Sequence, residues 1–261
     1  MNMKVLVVGG TADGRHLATQ LHELGFDITY SIAGIVRKAT LPCPVITGGF
    51  TQFGGLQQFV ITNHITHIVD ATHPFAEKMS NKIAQVSQSL TVPAIRFHRK
   101  QWPKTAQDNW VEVQQWPELI ENVSGHESLF ITAGQVTQTV LDQLAKQAKH
   151  VLLRTAMPVK VDLPNNVTWI KAIGPFELDN EKKLIEEYKI DAIVSKNSGG
   201  ESTYAKIQAA AEAGVVVYQF KRPALLDTQY QFDNQISCIE LLNNFKTQLN
   251  KLPSNELTDE I

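Results

Sequence analysis

The sequence predicts an α/β fold made of two doubly wound units, each with a parallel sheet and helices on both faces. Short apolar runs of strand length alternate with helical patterns along most of the chain, and this rhythm requires right-handed crossovers. The alternation breaks between Lys100 and Gln115, where the sequence is polar, contains a proline and has no periodicity. The break separates two candidate domains, and 261 residues are enough for two.

The first half opens with a strand at Val5–Val8, because four consecutive apolar residues suit a parallel strand covered on both faces. A helix is predicted over 13–25, with Leu17, Leu21 and Leu24 at helical spacing and a glycine at its end. The further elements predicted for this half are strands at 27–34, 66–72 and 93–99 and a helix at 78–90.

The second half repeats the pattern. Its predicted strands are 128–134, 150–155, 167–174, 191–197 and 215–220, and its predicted helices are 138–148, 180–190 and 202–214. We therefore expect domains at 1–100 and 128–225, a linker region at 101–127, and a polar tail at 226–261. The tail holds one short helix, at 238–249, and is expected to fray beyond it.

Composition excludes several classes of protein. The formal charge of −2 argues against nucleic-acid and anionic-membrane partners, which select a basic excess. Cys43 and Cys238 lie far apart and form no metal or redox spacing, so we expect no metal site. The longest apolar runs have strand length, and glycines interrupt the first one too early for a signal peptide. We expect a cytoplasmic protein.

A glycine turn follows the first strand. Gly9, Gly10 and Gly14 allow a tight turn and a bare backbone at the start of a helix, as a nucleotide pyrophosphate requires. Thr11 occupies the place of the usual middle glycine, so a tight turn without a ligand is the alternative.

The end of the second strand bears on the choice of cofactor. No carboxylate stands there for the ribose hydroxyls of NADH, but Arg37 and Lys38 follow and suit a ribose 2′-phosphate. This favours NADPH, with NADH as the second choice. The alternative is that both residues belong to a solvated loop.

The other strand ends are rich in glycine and polar residues. Carboxyl ends of parallel strands share one edge of a sheet, so this clustering predicts a large ligand there. The segments are 48–50, 70–76, 96–100, 132–134, 154–155, 174–176 and 196–200. His73, near Asp70, is the candidate acid–base residue, with phosphate contact or helix capping as alternatives. Lys196 lacks Walker spacing but, beside Asn197 and Ser198, fits a carboxylate or pyrophosphate oxygen.

Several of these segments, taken in order, resemble the precorrin-6A reductase family of cobalamin biosynthesis, including its cobalt-precorrin-6A members. The matching motifs are VLVVGGTADGRHLA, SIAG, GGF, VDATHPFA, IGPF, SKNSGGESTYAKIQAA and the closing RP at Arg222 and Pro223. The resemblance runs from about Lys4 to Pro223 and leaves only the tail outside. DATHPFA together with KNSGG is highly specific as a pair.

The resemblance implies two Rossmann-like domains with parallel sheets and a cleft between them that holds a reduced nicotinamide and the corrin precursor. It implies hydride transfer to one double bond of the macrocycle, with or without cobalt. Gly9, Gly10 and Thr11 would hold the pyrophosphate, and Ala33 and Gly34 would pass the adenosine ribose. The remaining cofactor candidates are Arg37, Lys38, Asp70 and Thr72. Many members have a basic residue where this chain has Ile35, so Arg37 or Lys38 must substitute if NADPH is preferred.

The acetate and propionate groups of such a tetrapyrrole require cations and hydrogen-bond donors. The substrate-binding candidates are His73, Arg96, Arg99, Thr132, Gly134, Arg154, Lys196, Asn197, Ser198, Gly199 and Arg222. Water or an acid such as His73 would supply the proton that follows the hydride.

Two other functions fit parts of the sequence. A non-catalytic NADP-binding redox sensor would explain the glycine turn and the lack of an obvious acid–base set, but not the polar strand ends of the second half. A two-domain small-molecule binding protein without a nucleotide is the third reading. Nucleotide binding would distinguish the small-molecule binding protein from the reductase and the redox sensor. Turnover would distinguish the reductase from the redox sensor.

Overall fold

The chain divides into two compact units. Unit 1 is formed by residues 1–99 together with 224–261, and unit 2 by residues 100–223. The computed structural model describes residues 3–34 and 40–251. Within these ranges no helix combines the length and the apolar character that a membrane crossing requires.

Unit 1 is built on a six-stranded parallel sheet with the order β12-β5-β4-β1-β2-β3. Its strands are β1 (Lys4–Val8), β2 (Asp27–Ile32), β3 (Val45–Thr47), β4 (His67–Asp70), β5 (Ala94–Phe97) and β12 (Tyr230–Phe232). Its helices are α1 (Ala12–Glu23), α2 (Leu56–Thr62), α3 (Glu77–Leu90) and α8 (Gln235–Lys251).

Alternate residues of β1 feed two separate cores, because successive strand side chains point to opposite faces of the sheet. Val5 and Val7 pack with Leu17 of α1 and with residues of α8 on one face. Leu6 and Val8 pack with residues of α2 and α3 on the other. Burial on both faces explains why β1 is an unbroken apolar run.

Unit 2 repeats this plan with the strand order β6-β11-β10-β7-β8-β9, again all parallel. Its strands are β6 (Trp110–Val113), β7 (Ser128–Ile131), β8 (His150–Thr155), β9 (Val167–Lys171), β10 (Ala192–Lys196) and β11 (Val216–Phe220). Its helices are α4 (Trp116–Asn122), α5 (Gln138–Gln147), α6 (Leu178–Glu187) and α7 (Ala205–Ala213). The prediction of two Rossmann-like domains with parallel sheets is confirmed.

The domain boundaries differ from the predicted ones at two places. The predicted linker region, 101–127, contains β6 and α4, and β6 pairs with β11 inside unit 2. The predicted tail, 226–261, returns to unit 1, where β12 pairs with β5 and α8 covers the sheet. Pairing with strands already formed stabilises β6 and β12, although each is too short to leave a clear pattern in the sequence.

Candidate functional site

The strand order of unit 1 reverses beside β1. The chain first proceeds from β1 to β2 and β3 and then continues on the other side of β1 with β4 and β5. In open parallel sheets, ligands bind outside the carboxyl ends of the strands at such a switch point. The glycine turn after β1 and the segment that starts at Ala71 after β4 flank this crevice.

Close packing under the glycine turn explains its first glycine. A β-carbon on Gly9 would lie 2.2 Å from the hydroxyl of Tyr30, a side chain fully buried under the turn. The Tyr30 hydroxyl accepts a hydrogen bond from the Gly10 amide at 2.9 Å, and burial raises the pKa of this phenol. Gly10 itself has φ +131° and faces open space, so the outer side of the turn is bare backbone.

Thr11 caps helix α1. Its hydroxyl accepts from the Gly14 amide at 2.9 Å and donates to the Ala71 carbonyl at 3.3 Å, which ties the helix start to the end of β4. A β-carbon on Gly14 would lie 3.0 Å from the same carbonyl. Threonine in the usual glycine place therefore preserves the turn and adds an N-cap.

The end of β2 leads to the region predicted to meet the adenosine ribose. Ala33 and Gly34 are exposed there. Arg37 and Lys38, predicted to bind the 2′-phosphate, lie outside the described residues.

Asp70 and Arg96 form a buried ion pair. Arg96 Nε donates to Asp70 Oδ2 at 3.0 Å, and the two side chains are 3% and 0% exposed. Asp70 also accepts from the Thr72 hydroxyl at 2.7 Å, and the remaining nitrogens of Arg96 donate to the carbonyls of Leu226 (2.8 Å) and Ser80 (3.3 Å). Asp70 and Arg96 therefore neutralise each other inside unit 1 and tie β4, β5 and the returning tail together, and their contacts with a ligand stay a prediction.

His73 is half-buried in the turn before α3. Its Nδ1 accepts from the Phe75 amide at 3.2 Å. In the neutral imidazole the proton therefore sits on Nε2. The ring is in the tautomer that a proton donor at Nε2 requires.

Arg99 follows β5 and forms an ion pair with Asp13, in the first turn of α1. Both side chains are partly exposed, at 19% and 32%. Arg99 was predicted to bind substrate, whereas Asp13 was not among the predicted site residues.

The switch point of unit 2 lies between β7 and β10. The backbone amide and the hydroxyl of Thr132 both donate to the Val194 carbonyl, at 2.8 and 2.9 Å, which joins the two strand ends. Gly134, with φ +91°, turns the chain out of the sheet. The structure thus brings the predicted residues Thr132, Gly134 and Lys196 to one edge of one sheet.

The loop after β10, residues 197–200, is held in place by side chains. The Asn197 amide group accepts from the Trp102 amide at 2.8 Å and donates to the Trp102 carbonyl at 3.1 Å. Arg222 donates to the carbonyls of Asn197 (3.0 Å) and Ser198 (3.1 Å). These bonds give Asn197 and Arg222 the role of shaping the loop.

Gly199 fits this loop as no other residue does. Its φ is +71°, and a β-carbon would lie 1.8 Å from the Lys100 carbonyl oxygen. At the base of the loop, burial lowers the pKa of Lys196. The loop therefore presents a partly desolvated ammonium group beside a hydrogen-bonded turn of backbone and hydroxyl groups.

The comparisons with known proteins bear on this pair of sites. A model of the family described as "Precorrin-6x reductase CbiJ/CobK" matches residues 4–243. This chain belongs to the precorrin-6x reductase family. The precorrin-6A reductase of Rhodococcus erythropolis is 34% identical over 227 residues, 85% of this chain and 90% of the relative. That of a Sinorhizobium species is 35% identical over 248 residues, 92% and 91% of the two chains.

Members named for the cobalt substrate are also related. The cobalt-precorrin-6A reductase of Priestia megaterium is 27% identical over 236 residues, 85% of this chain and 91% of the relative. The solved structure entitled "CobK precorrin-6A reductase" superposes with a TM-score of 0.83 at 29% identity, covering 93% of this chain and 96% of that one. The resemblance inferred from the sequence is confirmed, and this chain is a reductase of cobalamin biosynthesis.

Arg154, predicted to bind substrate, forms a buried ion pair within unit 2. It makes a bidentate ion pair with Glu181 of α6, at 2.6 and 2.9 Å, and both side chains are buried. Its guanidinium lies 3.8 Å from the centroid of the Phe176 ring. The buried Lys206 lies nearby, and burial, followed by the Arg154 charge, lowers its pKa to about 7.

Sequence reasoning missed four residues that shape these sites, namely Asp13, Tyr30, Trp102 and Glu181. Asp13 had a usable signal, since it stands in the first turn of the glycine-turn helix. The other three act through contacts with residues 20 or more positions away, which leave no local pattern.

Proposed function

We propose that this reductase transfers a hydride from NADPH to one ring double bond of precorrin-6A, or of its cobalt complex, to give the corresponding precorrin-6B. The observation that carries the proposal is the glycine turn at the switch point of a six-stranded sheet, in a chain whose relatives carry the reductase name. The relatives named for the metal-free substrate are more similar to this chain than the cobalt relative, which favours precorrin-6A.

The cofactor fits the crevice of unit 1. Gly9, Gly10 and Thr11 would hold the pyrophosphate, because a bare backbone and the start of α1 face the crevice. Ala33 and Gly34, exposed after β2, would let the adenosine ribose approach. The preference for NADPH over NADH rests on Arg37 and Lys38, as the basic residues that follow.

The nicotinamide end belongs on the other half of the sheet. A doubly wound sheet has two mononucleotide-binding halves, and here the second half consists of β4, β5 and β12. A groove of about 400 Å³ lies at the carboxyl ends of β5 and β12. Its lining residues are Arg96, His98, Gln231, Phe232 and Asp233.

Unit 2 supplies the groups suited to the substrate carboxylates. Lys196 offers a cation, and the loop that follows it carries the Ser198 hydroxyl and the backbone around Gly199 and is held by Arg222. An approaching carboxylate would favour the charged form of Lys196, against the burial that lowers its pKa. Thr132 and Gly134 form the opposite wall of the same switch point.

The protein contributes mainly positioning to this reaction. The bound nicotinamide supplies the hydride. Holding two reactants in a near-attack geometry can supply roughly 7–11 kcal/mol of the barrier. We assign the proton that follows to His73, whose Nε2 carries the proton in the observed hydrogen-bonding arrangement.

We place the reaction in the cytoplasm and assign it no nucleic-acid or membrane partner. The thiols of Cys43 and Cys238, which are both unpaired, support this placement.

The test is turnover by the purified protein. Precorrin-6A and cobalt-precorrin-6A are each mixed with NADPH or NADH, and the loss of reduced-nicotinamide absorbance is followed. We expect consumption that requires both protein and tetrapyrrole and is faster with NADPH. Binding of NADPH without consumption by either substrate would contradict the proposal and support a redox sensor instead.

A matched pair of variants locates the cofactor. Gly10→Asp places a carboxylate against the pyrophosphate and should abolish NADPH binding, measured by the fluorescence of the nicotinamide. Gly125→Asp is the control, because Gly125 also has a positive φ (+98°) and also faces open space. Normal NADPH binding by Gly10→Asp would show that the cofactor site lies elsewhere.

A further inference from the structure

The ion pair between Asp13 and Arg99 spans the crevice of unit 1. Asp13 belongs to the helix that follows β1, and Arg99 follows β5, two strands away across β4. The switch point lies between β1 and β4. The two side chains therefore meet over the carboxyl end of the sheet where a dinucleotide binds.

The Asp13 carboxylate occupies an environment that also suits a phosphate. It stands in the first turn of α1, where the helix dipole and the backbone amides favour a negative charge. A pyrophosphate brought to the Gly9–Thr11 turn meets this carboxylate as a competing anion. Arg99 is the cation in direct contact with Asp13, and its fork of donors matches phosphate oxygens as well as a carboxylate.

The first turn of α1 has other supports than this ion pair. Thr11 caps the helix, and the Gln235 side chain donates to the Asp13 carbonyl at 3.4 Å. The same Gln235 side chain also bonds to the His16 ring at 3.0 Å. The Asp13 carboxylate can therefore lose its partner without loss of the helix start.

We propose that the Asp13–Arg99 pair is a latch across the crevice, and that the cofactor pyrophosphate opens it by replacing the Asp13 carboxylate as the partner of Arg99. The proposal rests on the cofactor site given above. It moves Arg99 from the substrate-binding set to the cofactor-binding set and gives Asp13 the role of a competing anion.

The test is the sign of the change in NADPH affinity. Asp13→Asn should tighten NADPH binding about three- to tenfold, because it removes a competing anion of unit charge. Arg99→Gln should weaken binding roughly ten- to hundredfold, the usual loss for a charged hydrogen-bond donor. Arg99→Lys, which keeps the charge but loses the fork, should fall between Arg99→Gln and the unmodified protein.

Two controls carry the same charge changes away from the crevice. Glu23→Gln removes a carboxylate at the far end of α1, and Lys82→Gln removes an exposed cation on α3. Both should leave the dissociation constant within about twofold, the effect of a screened surface charge. Circular dichroism at the binding temperature checks that each variant is folded.

A structural brace would behave in the opposite way. If the pair only holds α1 in place, Asp13→Asn should weaken NADPH binding or leave it unchanged, and either result overturns the latch. Failure of the unmodified protein to bind NADPH overturns the cofactor site itself. The two failures are therefore distinguishable.

Discussion

The buried charges around Arg154 in unit 2 are unbalanced, and this imbalance gives a quantitative prediction. The cluster contains two cations, Arg154 and Lys206, and one carboxylate, Glu181. Removing the carboxylate leaves the Arg154 guanidinium buried without its partner and also takes away the charge that raises the pKa of Lys206. Removing Arg154 leaves Glu181 beside Lys206. We therefore expect Glu181→Gln to destabilise unit 2 more than Arg154→Met does.

The difference in stability between the two variants depends on the Lys206 ammonium group. Breaking a buried ion pair by removing one partner typically costs about 3–5 kcal/mol, which we expect for Glu181→Gln. In Arg154→Met the repulsion that helps to lower the pKa of Lys206 to about 7 is gone. Each pKa unit that Lys206 recovers is equivalent to about 1.4 kcal/mol, so Arg154→Met should cost less than Glu181→Gln.

The assay is urea unfolding followed by tryptophan fluorescence. All four tryptophans, at positions 102, 110, 116 and 169, lie in unit 2, so the signal reports on that unit. The double variant Arg154→Met/Glu181→Met should be more stable than Glu181→Gln alone, because it does not leave the Arg154 guanidinium buried without its carboxylate. An equal or larger cost for Arg154→Met than for Glu181→Gln would refute the reasoning about the cluster.

Two further predictions concern stability. Burial lowers the pKa of His67 to about 4 from 6.5, so the unfolded chain binds more protons than the folded chain between those pH values. The free energy of unfolding of unit 1 should therefore fall by up to about 1.4 kcal/mol per pH unit as the pH falls through this window. Urea unfolding followed by circular dichroism should show that the free energy of unfolding depends less steeply on pH in His67→Gln, but not in the exposed control His22→Gln. An unchanged pH dependence in His67→Gln would contradict the assignment of this effect to His67. Gly199→Ala should lower the urea midpoint for unfolding of unit 2 by more than Gly214→Ala does. Both glycines have φ near +70°, but only Gly199 has a neighbour in the space that the new β-carbon would occupy. The left-handed backbone conformation alone costs alanine about 1–2 kcal/mol in either variant. Equal losses of stability in the two variants, measured by tryptophan fluorescence, would therefore mean that the Lys100 carbonyl moves away freely.

The sheets were predictable because burial on both faces leaves a continuous apolar run. Val5–Val8 is such a run, and its alternate residues fill two cores. The short strands β6 and β12 were not predictable. The sequence around β6 is polar, and β12 pairs with a strand more than 130 residues earlier in the chain. Pairing over such distances depends on tertiary structure, which local composition does not record.

The candidate site was predictable where backbone geometry decides it. Gly9 and Gly10 have the close packing and the positive φ that the glycine turn implies. The roles of the cations were harder to predict, because the sequence around an arginine at a strand end is the same whether its side chain faces a ligand or a buried carboxylate. Arg96 and Arg154 proved to be partners of Asp70 and Glu181, which stand 26 and 27 positions away.

Isotope labelling shows whether hydrogen passes directly from the nicotinamide to the tetrapyrrole. NADPH that carries deuterium at both positions of the nicotinamide C4 is incubated with the protein and precorrin-6A, and the tetrapyrrole product is analysed by mass spectrometry. We predict one deuterium in each molecule of product, and no product in a reaction with Gly10→Asp. Product without deuterium, or NADPH that binds and stays unoxidised, would contradict the account.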